Sequence, residues 1–138
     1  MMLKELMEEN GMTMDNWQYN EHGKPFMQDG PFFSISHSKE GIAVVVDKQP
    51  IGIDIEAIRR VDEELVERTM NEAEQAYISA SEDRDRAFTA LWTKKEAIVK
   101  AQGVGIISFE QIQSICAHTE YHVDTVEKEN YIYSIASK

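Results

Sequence analysis

The segment Ile51-Gly52-Ile53-Asp54-Ile55-Glu56 constrains this chain more than any other. Side chains alternate across a strand, so Ile53 and Ile55 turn to one face, toward a core. Asp54 and Glu56 share the other face. Two carboxylates side by side on a strand repel mildly unless something compensates. Two readings stay open here. One is a solvated acidic strand face. The other is a pair of ligands for a hard cation such as Mg²⁺, which takes one or two carboxylates together with water and phosphate oxygens.

A second block, Trp92-Thr93-Lys94-Lys95-Glu96-Ala97-Ile98-Val99-Lys100, reads as a helix. Trp92, Glu96 and Lys100 follow one another at single-turn spacing and share a face. Trp92 is suited to anchoring a core. Glu96 and Lys100 read either as a surface ion pair or as a third carboxylate and a lysine of one site. Lys94, Lys95 and Lys100 crowd around Glu96, and lysine suits phosphate as a mobile point charge. Brought together, the two blocks would place three carboxylates beside lysines. That composition points to a divalent cation and a phosphate-bearing substrate.

At 138 residues the chain is expected to form a single domain over 1–138. With 42% apolar and 28% charged residues it is globular in composition. The longest apolar run, Ile42 to Val46, is far too short to span a bilayer. Glu5, Glu8 and Glu9 sit where a signal peptide needs an apolar stretch. Cys116 has no cysteine to pair with and fits a reducing compartment. These features lead us to expect a cytoplasmic protein without membrane contact. The net charge of −11 argues against nucleic-acid binding, which needs a broad basic surface. The excess acid lies largely in residues 1–10 and 62–85, whereas Arg59, Arg60, Arg68, Lys94, Lys95 and Lys100 are clustered. Screening confines surface charge effects to about 8–10 Å, so a small positive site on an acidic molecule is physically sound.

The pattern predicts a helix over Leu3–Glu9 stopped near Gly11, and a turn over Glu21–Pro25. Strands are expected at Pro31–Ser36, Ile42–Asp47 and Ile51–Glu56. The second is apolar enough to be buried on both faces, and the short links suggest an antiparallel meander. Val61–Thr69 reads as helical. Asn71 is a good N-cap with Glu74 at the capping-box position. Asp83 caps a helix running to Ala101, ended by Gly103 and Gly105. Residues Phe109–Ala117 are ambiguous. Tyr121–Val126 and Tyr131–Ala136 alternate like a hairpin. Strands, helices, then strands give an α+β class, an antiparallel sheet packed with helices. Ser36-His37-Ser38 leaves a strand end, where His37 suits a phosphate. A nucleophilic serine is the rival, but no glycine elbow flanks it. His22, His118 and His122 lack zinc-site spacing, and no phosphate-cradling glycine loop is present.

Four stretches in order resemble the 4′-phosphopantetheinyl transferase superfamily, particularly its Sfp-type branch. They are Gly23-Lys24-Pro25-Phe26, Phe33-Ser34-Ile35-Ser36-His37-Ser38, Ile51-Gly52-Ile53-Asp54-Ile55-Glu56, and Trp92-x-x-Lys95-Glu96-Ala97-x-x-Lys100 with Gly103 and Gly105. The resemblance implies a holo-[acyl-carrier-protein] synthase activity. The phosphopantetheine arm of coenzyme A would pass to a serine of an acyl or peptidyl carrier protein, releasing adenosine 3′,5′-bisphosphate. It further implies that Asp54, Glu56 and Glu96 hold Mg²⁺ and that Lys100 neutralises the diphosphate. Gly23, Lys24 and Pro25 would border the adenine. Ser36 and His37, with Lys95, would contact the 3′-phosphate, and Glu74 or a metal-bound water would assist in deprotonating the serine. Arg59 and Arg60, directly after the Asp54 strand, are expected to dock an acidic carrier protein.

The resemblance covers the second half of the two-half chain usual in that branch. It therefore implies a half-domain whose site is completed by a homo-oligomer, a dimer rather than a trimer. The apolar strand pair Ile42–Val46 and Ile51–Ile55 would supply the buried face. Two alternatives stand beside an active transferase. One is a protein that binds coenzyme A or a carrier protein without efficient transfer. The other is a different Mg²⁺-dependent enzyme acting on a nucleotide diphosphate.

Overall fold

The computed structural model describes residues 17–19, 25–27, 32–39, 41–103, 108–117 and 119–138. The expected Leu3–Glu9 helix, the Glu21–Lys24 part of the turn, Gly105 and His118 lie outside them. Seven strands and four helices follow in chain order among the described residues: β1 (Trp17–Tyr19), β2 (Pro25–Met27), β3 (Phe32–Ser38), β4 (Gly41–Asp47), β5 (Ile51–Ala57), α1 (Glu63–Thr69), α2 (Glu72–Ala80), α3 (Arg84–Gln102), α4 (Phe109–Ser114), β6 (His122–Glu127) and β7 (Tyr131–Ser137). The α+β class is as the sequence implies.

The strands form three antiparallel groups, β1–β2, β3–β4 and β5–β7–β6. The C-terminal hairpin forms as expected, with Lys128 N–H closing on Tyr131 O at 2.8 Å. The expected meander does not. Rather than continuing from β4, β5 pairs with β7, Asp54 opposite Ser134. The reason lies at the other edge of β5. Ser34 Oγ accepts the Ile53 N–H at 3.1 Å, and Ser36 Oγ accepts the Ile55 N–H at 3.0 Å. Both bonds link residues 19 positions apart, so β3 and β5 run in the same direction. Serine hydroxyls replace a backbone ladder there, and those N–H groups are lost to β4.

β4 is also not buried on both faces. Ile42 is 61% exposed and Ala43–Asp47 are half-buried, because β4 pairs only with β3 among the described residues. His37 and Ser38, expected in a loop, belong to β3 and pair with Ile42 and Gly41.

The helices begin where capping chemistry permits. Asp62 accepts from Leu65 N–H, Asn71 and Glu74 form a capping box, and Asp83 accepts from Arg86 N–H. Gly103 ends α3 with φ of 70°, a left-handed cap that glycine adopts without strain. The ambiguous segment after it is α4, opened by a second capping box of Ser108 and Gln111.

α3 is the hub of the packing. Its first half joins Val61, Val66, Met70, Ile78, Ala87 and Phe88 in one apolar cluster. Its second half joins Ala97, Ile98 and Ala101 with Ile112, Ile115 and Ala136 in another. Trp92 packs against both, and its ring stacks 6.1 Å from Phe88. The helix lies directly on β5 at Gly52. A Cβ placed there would sit 2.1 Å from Ala97 O and 2.5 Å from Ala101 N. Since alternate residues share a face, Gly52, Asp54 and Glu56 all turn toward α3. Gly52→Ala must therefore push helix and strand apart. Overpacking of this kind costs about 1–3 kcal/mol or more, to be read as a lowered urea midpoint. A midpoint equal to that of the unmodified protein would refute this backbone contact.

Candidate active site

Asp54 sits at the middle of β5, on the face covered by α3, and is only 4% exposed. A solvated acidic strand face is thereby excluded for this residue. Its Oδ1 receives Lys100 Nζ at 3.1 Å and Ser36 Oγ at 3.3 Å. Lys100 comes from the last turn of α3, so the tight seat of the helix at Gly52 is what delivers the ammonium to the strand. Asp54 Oδ2 is buried and finds no hydrogen-bond partner among the described residues. An unpartnered buried carboxylate oxygen is costly.

The electrostatics agree. Burial, opposed by Lys100 and reinforced by Glu56 and Glu96, pushes the Asp54 carboxyl up to about 7. Glu96 is also raised, first by burial and then by Glu56, against the pull of Lys100. Thus β5 and α3 bring three carboxylates into one another's field, with one lysine among them. Among the described residues, no three carboxylate, imidazole or thiol side chains lie close enough to form a ready-made metal cage. The donor set nevertheless suits a hard divalent cation. It offers carboxylate oxygens only, mutually repelling, and one of them is orphaned.

Other residues singled out in the sequence lie differently. Lys95, expected at the 3′-phosphate, is completely buried. Its ammonium donates to Glu74 Oε1 at 2.6 Å, Ile112 O at 2.8 Å, Thr69 O at 3.0 Å and Gln113 O at 3.1 Å. Four acceptors consume its hydrogen-bonding capacity, so in this arrangement it ties α1, α2 and α4 to α3. Glu74, expected to take a proton, is committed to that pair, and its Oε1 also accepts from Asn71 N–H in the capping box. The hydroxyl of Ser36, expected at the same phosphate, is turned inward onto β5 and is 5% exposed. His37 is exposed on β3. Arg59 and Arg60 are exposed on the segment after β5, beside the β6–β7 turn, where Ile58 N–H meets Asn130 O at 3.0 Å. Arg60 lines a cavity of about 500 Å³ with Val61, Asp62, Glu63 and Arg84. Pro25 opens β2, and Gly23 and Lys24 lie outside the described residues.

Sequence reasoning missed the hydroxyls. Ser34 and Ser36 stitch β3 to β5, and Ser134 bonds Thr93 and Thr125, both at 2.8 Å, beneath α3. The signal was serine at every second place of an otherwise apolar strand.

Lys95→Met removes one partner of a buried charge pair and strands three carbonyls. Such a break typically costs about 3–5 kcal/mol, measurable by urea unfolding; a loss below about 1 kcal/mol would contradict the buried network. A pH effect follows from Asp54. Its proton affinity is higher folded than unfolded, so between pH 3.8 and about 7 the folded state keeps a proton that the unfolded chain has released. The stability this confers is present at low pH and is lost as pH rises through that window. Without metal, the melting temperature should fall from about pH 5 to about pH 8, and Asp54→Asn should flatten the slope. Identical slopes in the two proteins would show that Asp54 does not titrate there.

The family model of the 4′-phosphopantetheinyl transferase superfamily matches residues 50–134, from the turn before β5 into β7. The 4′-phosphopantetheinyl transferase gsp of Aneurinibacillus migulanus is 37% identical over 89 residues, covering 63% of this chain and 38% of the relative. The 4′-phosphopantetheinyl transferase Sfp of Bacillus subtilis (strain 168) is 36% identical over 90 residues, covering 62% and 40%. The 4′-phosphopantetheinyl transferase AcpT of Salmonella typhimurium is 39% identical over 92 residues, covering 62% and 48%. The matched part of the chain thus spans between about two fifths and half of these curated relatives. The matched region contains Asp54, Glu56, Glu96 and Lys100, the whole of the carboxylate cluster and its lysine. The chain belongs to the 4′-phosphopantetheinyl transferase superfamily.

Proposed function

We propose that this chain transfers the 4′-phosphopantetheine arm of coenzyme A to a serine of an acyl or peptidyl carrier protein. The observation that carries the reading is Asp54. It is a buried carboxylate with one oxygen held by Lys100 and the other without a partner among the described residues, in the field of Glu56 and Glu96. Spontaneous burial of so much like charge is unfavourable, and a cationic ligand relieves it. In the reaction, the serine hydroxyl attacks the phosphorus that carries the pantetheine arm. The bond from that phosphorus to the bridging oxygen breaks, and adenosine 3′,5′-bisphosphate leaves. Such transfers depend on positioning and charge stabilisation more than on covalent chemistry by the protein.

Asp54, Glu56 and Glu96 would hold Mg²⁺, which when bound supplies charge neutralisation at the diphosphate. Lys100, anchored on Asp54 and 30% exposed at its side chain, would present its ammonium to the same oxygens. The serine proton needs a carboxylate not already neutralised. Glu74 is held by Lys95 and does not meet that need. His37, exposed at the end of β3, would meet the 3′-phosphate, and Gly23, Lys24 and Pro25 the adenine. Arg59 and Arg60 would receive the acidic surface of a carrier protein. Two copies of the chain would complete the site, in the reducing interior of the cell. No described helix is long and apolar enough to cross a membrane.

The test is intact-mass analysis of a carrier protein incubated with the chain, coenzyme A and Mg²⁺. A gain of one phosphopantetheine is expected, with a loss of at least about a hundredfold in rate for Glu96→Ala, the scale of removing one preorganised charge-stabilising group. Coenzyme A binding without any mass gain would favour a binding role. Near-normal turnover by Glu96→Ala would sink the assignment of the cluster.

A further inference from the structure

Among the described residues Asp54 is met by two donors, and both choose the same oxygen. Lys100 Nζ lies 3.1 Å and Ser36 Oγ 3.3 Å from Oδ1. Oδ2 receives neither and is buried. The serine's part in this follows from hydrogen-bond direction. A hydroxyl has one proton to give and lone pairs to receive with. The Ile55 N–H, fixed in β5, is a donor only and points at Ser36 Oγ across 3.0 Å. The Ser36 proton must therefore go elsewhere, and Asp54 Oδ1 is the acceptor in reach. The strand backbone thus orients the serine, and the serine orients the carboxylate. Ser34 provides the natural contrast. It receives the Ile53 N–H at 3.1 Å, also buried on the same strand, two residues away. Its stitching role is the same, but the carboxylate bond is made by Ser36.

We propose that Ser36 is a positioning residue that holds Oδ1 of Asp54 and so reserves Oδ2 for a divalent cation. This rests on the reading of the Asp54–Glu56–Glu96 cluster given above, and it replaces the 3′-phosphate contact expected of Ser36. Partners that orient a metal-binding side chain typically matter by 10–100-fold in metal affinity.

The experiment is Mn²⁺ titration, followed by electron paramagnetic resonance, of the intact chain in the presence of coenzyme A. Three proteins are compared: unmodified, Ser36→Ala and Ser34→Ala. Mn²⁺ affinity should fall about tenfold or more in Ser36→Ala and stay near that of the unmodified protein in Ser34→Ala. Both variants lose one β3–β5 stitch, so a purely structural role would move both alike, and equal losses would overturn the proposal. The preference for coenzyme A over 3′-dephospho-coenzyme A should be unchanged in Ser36→Ala. A selective loss of coenzyme A affinity would return Ser36 to the phosphate and overturn the proposal as well. If Ser36→Ala does not fold, Ser36→Cys keeps the shape with a much weaker donor, and Mn²⁺ affinity equal to the unmodified protein would refute the role. Failure of the unmodified protein to bind Mn²⁺ would instead defeat the cation reading of the cluster, and this inference with it.

Discussion

Everything at the candidate site depends on one close contact, the seat of α3 on β5 at Gly52. No side chain separates the strand from the helix there, and Ala97 and Ala101 keep the helix surface flat. The gain is proximity. A helix normally stands well off a strand because side chains intervene. Here Lys100, one residue short of Ala101, reaches a carboxylate two residues beyond Gly52. Had the separation been set by larger side chains, Lys100 and Asp54 would face each other across a gap instead of bonding at 3.1 Å. The same contact places Glu96 in the field of Asp54.

Two lysines of α3, Lys95 and Lys100, divide the labour. Lys95 and Glu74 neutralise one another, and three backbone carbonyls complete the ammonium's shell. That charge is fully satisfied and serves the joining of four helices. Further along the helix, Lys100 bonds Asp54 with Glu56 and Glu96 in the same field, and Asp54 Oδ2 finds no partner among the described residues. A satisfied pair is structural, whereas an unsatisfied one is an invitation to a ligand. Two lysines five residues apart on one helix thus serve different ends because they face different neighbours.

Much of this was legible in the residues. Alternation in Ile51–Glu56 put Asp54 and Glu56 on one face, and Asn71, Asp83 and Gly103 marked helix ends by capping chemistry that acts locally. What failed was nonlocal. Short links between strands favoured a meander, but strand order is decided by which edge N–H groups are already bonded, and the Ser34 and Ser36 hydroxyls had taken those of β5. The fate of Lys95 was illegible for the same reason. Lys94, Lys95 and Lys100 look alike in sequence. Which of them turns inward depends on the phase of α3 against α1, α2 and α4, and on carbonyls from segments well separated along the chain. Apolar content likewise overstated the burial of β4, since Ile42 lies on the open side of its hairpin.

The pairing of β5 with β7 has a consequence for how the protein comes to be folded. Asp54 and Ser134 lie 80 positions apart, whereas β3–β4 and β6–β7 close within a few residues. Local hairpins form fast, and long-range strand pairing must first meet the entropy of closing a large loop. During synthesis, every part of the acidic cluster emerges before the strand that clamps it. Until β7 docks, β5 offers an open edge, the kind of surface on which nascent chains associate wrongly. Any ligand that relieves the charge of the completed cluster also favours the completed fold.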